Sequence, residues 1–112
     1  MSATITRDEL QRRITEGDIT VLEALPESYW EAEHLPGAVA FPLDDIDGQA
    51  ARLLPDKGAA VAVYCSNDAC NNSHIVAERL TKLGYRAVFR YTEGKQDWIE
   101  AGLPVESATP VA

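Results

Sequence analysis

Several features that would assign a small protein to a familiar class are missing from this chain of 112 residues. No apolar run approaches the roughly 18 residues of a membrane span, so we expect no membrane-spanning segment. The N-terminus has no apolar stretch of signal-peptide length, which favours the cytoplasm. Only 10 Lys and Arg stand against 18 Asp and Glu, and the net charge of −8 opposes binding to a phosphate backbone. We therefore expect neither membrane nor nucleic acid as a partner.

Cysteine is also scarce, with only Cys65 and Cys70 present. Thiols stay reduced in the cytoplasm, so two cysteines in such a chain are more often reactive, or simply buried, than joined in a permanent structural disulfide. A zinc site has little support, because no second pair of Cys or His stands at ligand spacing and both His34 and His74 are single. We expect no metal ion and no cofactor.

The patterns along the chain indicate one domain in residues 1–106 and a short frayed tail in residues 107–112. Strand patterns cover residues 18–25, 38–41, 59–64 and 86–91. Helix patterns cover residues 6–17, 28–32, 44–54, 73–83 and 94–101, with Ser28 predicted to cap the second and Asp44 or Asp45 the third. This alternation predicts an α/β fold with a largely parallel central sheet of four to five strands, flanked by helices on both faces.

The stretch around Cys65 is the strongest chemical signal. An apolar strand pattern ends at this cysteine, a polar loop follows, and a helix begins near Ser73. Sites in open parallel sheets lie beyond the carboxyl ends of the strands. Loop N–H groups and the helix dipole would stabilise a thiolate there. The dipole contributes at most about 2 kcal/mol, which lowers the thiol pKa by about 1.5, so an ionised thiol is reachable without a cationic side chain.

Polar, uncharged residues dominate the loop and either donate hydrogen bonds to an anion or cap the helix. Asp68 would oppose an anion, so we expect its side chain to point outward. Two alternatives stay open for each cysteine. Cys65 is either a nucleophile or an inert buried residue. Cys70 is either a bystander or a second thiol that attacks a persulfide on Cys65 or forms a disulfide with it.

Several motifs are shared with a known family. The segment His34-Leu-Pro-Gly-Ala-Val-Ala-Phe-Pro-Leu43 resembles a Gly-His-Ile-Pro-Gly-Ala motif, and Val63-Tyr-Cys65 resembles a strand that ends in a catalytic cysteine. Three closing signatures follow, namely Leu80-Thr-Lys-Leu-Gly-Tyr85, Glu93-Gly94 through Trp98, and Ala101-Gly-Leu-Pro-Val105. In this order and spacing, residues 18–105 resemble the rhodanese family of single-domain sulfurtransferases.

The resemblance implies a covalent, two-step sulfur transfer. Cys65 would take a sulfane sulfur from a small-molecule or protein donor, hold it as a persulfide and pass it to a thiol acceptor. Cys70 would be a possible resolving thiol. The resemblance implies that the substrate-binding residues are Ser66, Asn67, Asp68, Ala69, Asn71, Asn72, Ser73 and Lys95. It places His34 in a structural role.

The chain departs from the family pattern in its loop, which usually reads Cys-x-x-Gly-x-Arg-Ser. Here Cys70 stands at the spacing of the arginine, and Ser73 comes two residues later than the family serine. The missing arginine favours a persulfide, a polysulfide or a low-molecular-weight thiol over thiosulfate. It also disfavours phosphatase activity, which needs a cationic clamp.

A second departure concerns charge near the first strand. Glu23 and Leu25 occupy the places of the family's Asp-x-Arg, and Lys95 replaces the second glycine of a closing Gly-Gly. Lys95 is either a cation near the pocket or a solvated lysine at the start of a helix. These departures keep an alternative open: a catalytically weak binding or redox-regulatory module that uses the Cys65/Cys70 pair. The oligomeric state is not predicted.

Overall fold

A computed structural model describes residues 3–108, and within them five parallel strands lie between two layers of helices. The strands are β1 (Ala3–Thr4), β2 (Thr20–Glu23), β3 (Val39–Ala40), β4 (Val61–Tyr64) and β5 (Val88–Tyr91). The helices are α1 (Arg7–Glu16), α2 (Glu27–Ala32), α3 (Ile46–Leu53), α4 (Asn72–Lys82) and α5 (Gly94–Glu100), and a short 3-10 turn (Leu43–Asp45) precedes α3. The sheet order is β1-β5-β4-β2-β3 with every neighbouring pair parallel. The predicted fold class is confirmed.

The central strand β4 separates two apolar cores. Val61 and Val63 face the core that α3 and α4 cover. Ala62 and Tyr64 face the core that α1 and α5 cover. Because all four residues are buried, β4 shows the continuous apolar pattern of a parallel strand covered on both faces. Within the described residues, no helix has the length and apolar character needed to cross a membrane.

Helix α1 has the ends that the sequence predicts. The Thr6 side chain accepts a hydrogen bond from the Glu9 N–H at 3.2 Å, and Gly17 ends the helix with φ +74°. Strand β1 was not predicted. It contains two residues, which is too short for a periodic pattern, and it is fixed by pairing with β5.

The prediction that Ser28 caps α2 is wrong, because the helix already begins after Pro26. Trp30 is only half-buried, and its indole N–H donates to the Ala38 carbonyl at 2.8 Å. His34 is buried and stacks on Trp30, with ring centroids 4.3 Å apart. Its Nδ1 lies 2.6 Å from the Trp30 carbonyl oxygen. This histidine therefore supports the turn before β3, as expected.

The chain after the last helix returns to α2. The Ser107 hydroxyl and the Ala108 N–H both donate to the Glu31 carbonyl, at 3.0 and 3.1 Å. The described part of the predicted frayed tail is therefore attached to the fold. Residues 109–112 lie outside the described residues, and the division of the chain at residue 106 stays a prediction.

Candidate active site

The site lies at the carboxyl edge of the sheet, where β4 ends at Cys65. A loop of residues 66–71 leads from this cysteine to α4, and the start of α5 packs against the same loop. Cys65 and Cys70 are both free thiols. The topology brings them together because the loop turns back on itself between the strand and the helix. Among residues 3–108, no three His, Cys, Asp or Glu side chains are grouped as they would be around a metal ion.

Asn67 gives the loop its shape. Its carbonyl accepts the Cys70 N–H at 3.1 Å, and its Oδ1 accepts the Ala69 N–H at 3.0 Å. Its Nδ2 donates to the Gln96 side chain at 3.3 Å, which joins the loop to α5. An asparagine in a turn commonly bonds the backbone two residues on. These bonds use the Asn67 side chain for structure, so it is not a donor to either sulfur.

Gly94 lets α5 approach the loop closely. A Cβ at this position would lie 2.7 Å from the Cys65 carbonyl oxygen and 2.8 Å from the Asn67 nitrogen. The residue also has φ +76°, a region in which side chains are strained. The N–H groups of the next two residues donate to the carbonyls of Cys65 and Ser66, each at 2.8 Å. Gly94 therefore allows α5 to hold the cysteine loop in position.

Cys65 lies beneath the loop and is 1% exposed. Its Sγ donates to the Cys70 carbonyl oxygen at 3.3 Å. Desolvation by burial is the main cause that raises the pKa of Cys65, and hydrogen bonding to the Cys70 side chain adds to it. The N–H and hydroxyl of Ser73 lower the pKa but do not offset these effects. The environment of Cys65 therefore favours the protonated thiol.

Cys70 lies nearer the surface and is half-buried. Desolvation raises the pKa of this thiol, but several hydrogen-bond donors together outweigh it and lower the pKa below its ordinary value. These donors are the Cys65 side chain, the Asn72 N–H, and the N–H and hydroxyl of Ser66. Hydrogen bonds to the charged form favour that form. Of the two thiols, Cys70 is the one whose surroundings favour the thiolate form.

The side chains of the remaining loop residues form no hydrogen bond to either sulfur within residues 3–108. Asp68 is exposed, as its charge required, and Ala69 is exposed beside it. Asn71 is exposed at the start of α4, and its side chain makes no capping bond within residues 3–108. The Asn72 side chain donates to the Ala24 carbonyl at 2.9 Å, so only its backbone faces Cys70. Of the predicted binding residues, those with donors at a sulfur are Ser66, Asn72 and Ser73.

Lys95 lies at a cavity beside the loop, near the pocket as one of its two alternatives has it, but its charge is paired within the fold. It is buried, so it is not a solvated lysine. Its Nζ lies 3.0 Å from Glu23 Oε1 and donates to the carbonyls of Tyr29 and Glu33 at 3.0 and 2.6 Å. An ammonium group has three protons to donate, and three acceptors already use them. Lys95 therefore ties α5 to the end of α2 and supplies no free charge to a substrate.

Glu23 is the buried carboxylate that this lysine neutralises. It is fully buried at the end of β2, and the Tyr64 hydroxyl donates to its Oε1 at 2.6 Å. Its Oε2 has no hydrogen-bond partner among the described residues. Burial, then the negative charge of Glu23, raises the pKa of Tyr64, so the phenol remains a donor. A glutamate in an apolar strand signals a buried partner, but the sequence did not identify Lys95 as that partner.

A cavity of about 410 Å³ lies beside the loop. Its lining residues are Tyr29, Ala32, Glu33, Ser66, Asn67, Lys95, Gln96, Ile99 and Glu100. Its wall contains apolar groups and two carboxylates, its lysine is already paired, and neither cysteine is among its lining residues. The cavity therefore suits an uncharged organic group better than a small anion.

Comparison with known proteins identifies the family of this chain. The family model described as a rhodanese-like domain matches residues 6–101, so the chain belongs to the rhodanese-like family.

Two curated relatives differ in what their names describe. The HTH-type transcriptional regulator Rv0324 of Mycobacterium tuberculosis is 34% identical over 96% of this chain and 46% of its own length. The thiosulfate sulfurtransferase PspE of Escherichia coli is 38% identical over 57% of this chain and 59% of its own length. The chain thus spans about half the length of the first relative and three fifths of the second. The BH2092 protein of Bacillus halodurans shares the fold, with a TM-score of 0.86 at 24% identity over 96% of this chain and 78% of that one.

Proposed function

We propose that this protein is a sulfurtransferase, or persulfide carrier, that passes sulfane sulfur through a Cys65 persulfide to a thiol acceptor. The observation that carries the proposal is the pair of free thiols at the end of β4 with convergent donors from Ser66, Asn72 and Ser73. The relative named as a thiosulfate sulfurtransferase supports the reaction class. The proposed place of action is the cytoplasm, where both thiols would stay reduced.

The transfer consists of two exchanges at sulfur. A protein thiolate attacks the outer sulfur of a donor R–S–SH, a new S–S bond forms, the donor S–S bond breaks and RS⁻ leaves. An acceptor thiolate then attacks the outer sulfur of the protein persulfide, and the protein thiolate is released. Both steps conserve the number of electrons, so no external oxidant or reductant is required.

The donor proposed for this site is an organic persulfide, such as cysteine persulfide, whose net charge is smaller than that of thiosulfate. The carboxylates of Glu33 and Glu100 lie on the cavity wall, and the Lys95 ammonium is neutralised by Glu23. A dianion such as thiosulfate would meet like charge there without a free cation to offset it. We therefore expect thiosulfate to load the protein much more slowly than cysteine persulfide does.

The test is the intact mass of the protein after incubation with cysteine persulfide, inorganic polysulfide or thiosulfate. The proposal predicts a gain of one sulfur atom with at least one donor and its loss when a thiol acceptor is added. The double variant Cys65→Ser/Cys70→Ser is the control and gains none. A wild-type protein that gains no sulfur from any of the three donors would overturn the proposal.

A second candidate is a regulatory module that uses the same cysteine pair as a sulfur or redox sensor. It is favoured by the relative named as a transcriptional regulator, which matches nearly the whole chain. Turnover separates the two functions. A sulfurtransferase produces many equivalents of acceptor persulfide from excess donor, whereas a sensor stops after one loading or closes a Cys65–Cys70 disulfide.

A further inference from the structure

We infer that Cys70 is the thiol that meets the sulfur donor, and that Cys65 receives the sulfur from Cys70 in a second, intramolecular step. The inference rests on the proposed sulfur transfer and specifies its order. It reverses the order that the resemblance implies, in which Cys65 reacts with the donor directly. Two geometric differences between the thiols support it.

The first difference is access. A thiolate must reach the sulfane sulfur along the axis of the donor's S–S bond, so the attacking sulfur needs an open approach. Cys65 is 1% exposed and lies under the loop, whose backbone α5 holds through two hydrogen bonds of 2.8 Å. Cys70 is half-buried and part of its surface faces solvent. A donor can therefore contact Cys70 without displacing the loop.

The second difference is the polarity of the groups around each sulfur. The Cys70 carbonyl oxygen lies 3.3 Å from Cys65 Sγ and accepts its proton. If Cys65 were a thiolate, this oxygen would repel it. The groups around Cys70 are donors from Ser66 and Asn72, whereas Cys65 has the Ser73 donors together with this carbonyl oxygen. These contacts favour the thiolate at Cys70 over the thiolate at Cys65.

The relay balances in atoms and charge. In the first step the Cys70 thiolate attacks the outer sulfur of R–S–SH, which yields Cys70–S–SH and RS⁻. In the second step the departing RS⁻ takes the proton of Cys65 and leaves as RSH, and the Cys65 thiolate attacks the outer sulfur of this persulfide, which yields Cys65–S–SH and restores the Cys70 thiolate. The N–H and hydroxyl of Ser73 stabilise the charge that develops on Cys65.

The first test is the rate at which single variants gain sulfur from cysteine persulfide, followed by quenching and intact mass. The Cys65→Ser variant should still gain one sulfur atom, and fragment masses should place it on Cys70. The Cys70→Ser variant should load at least about tenfold more slowly. Its remaining thiol is Cys65, whose pKa is raised by burial. The thiolate fraction of a thiol falls about tenfold for each unit by which its pKa exceeds the pH. Equal loading of Cys70→Ser and wild type would overturn the inference and leave the proposed function standing. Wild-type protein that gains no sulfur would overturn both.

A second measurement needs no variant. Wild-type protein is alkylated with limiting iodoacetamide across a range of pH, and fragment masses locate the label. Cys70 should be labelled first, with its half-maximal rate at a lower pH than that of Cys65. Faster labelling of Cys65 would overturn the inference even if a variant failed to fold.

Discussion

Replacement of Lys95 by methionine tests whether the buried ion pair between Lys95 and Glu23 stabilises the fold next to the site. The substitution keeps the length and apolar stem of the side chain but removes the ammonium that contacts Glu23 at 3.0 Å. Glu23 is fully buried, so its carboxylate would be left with only the Tyr64 hydroxyl. Two carbonyls at the end of α2 would also lose their donor.

The expected cost follows from this burial. Removal of one partner from a buried ion pair costs about 3–5 kcal/mol. For a chain of 112 residues, an unfolding entropy of about 2.1 cal/mol/K per residue converts this to a fall in Tm of roughly 13–21 °C. The assay is urea and thermal unfolding followed by circular dichroism.

Two further variants make the result specific. Lys82→Met removes an exposed lysine from α4, and it should change the free energy of unfolding by less than about 0.5 kcal/mol. The double variant Glu23→Gln/Lys95→Met contains no buried charge, so it should be more stable than Lys95→Met alone. If Lys95→Met lies within about 1 kcal/mol of wild type, the ion pair does not have the role described for it.

Three further substitutions or treatments test the loop and its supports. Gly94→Ala should destabilise the protein by about 1–3 kcal/mol more than Gly102→Ala, because both glycines have φ near +77° but only a Cβ at Gly94 would overlap the cysteine loop; equal costs in urea unfolding would contradict the close approach. Tyr64→Phe leaves the buried glutamate without its hydroxyl donor, and it should cost about 1–3 kcal/mol by the same assay. Oxidised glutathione should close a Cys65–Cys70 disulfide, seen as the loss of both thiols in a thiol titration; two thiols that remain free would count against the redox function.

The sequence predicts the parts of this fold that have periodic patterns. The apolar run before Cys65 and the helix after the loop were both recognised, and their alternation with other elements was enough for the sheet class. Strand β1 was missed because two residues carry no period, and its place depends on pairing with a strand at the other end of the chain.

The site was less predictable, because its properties depend on backbone direction and distant contacts. Residue types in the loop suggested donors for Cys65. The fold provides the Ser73 donors there, but it also turns a carbonyl toward that sulfur, and it turns N–H groups toward Cys70. Lys95 was predicted near the pocket or in solvent; it lines the cavity, but its charge is paired with Glu23, a residue far away in the sequence. Neither feature has a local sequence pattern.

The most direct test of the central claim is the location and fate of sulfur on wild-type protein given one equivalent of cysteine persulfide. Fragment masses should place one added sulfur atom on Cys65 or Cys70, and added glutathione should remove it as glutathione persulfide. Protein that gains no sulfur at either cysteine, or that gains sulfur no thiol can remove, would contradict the account.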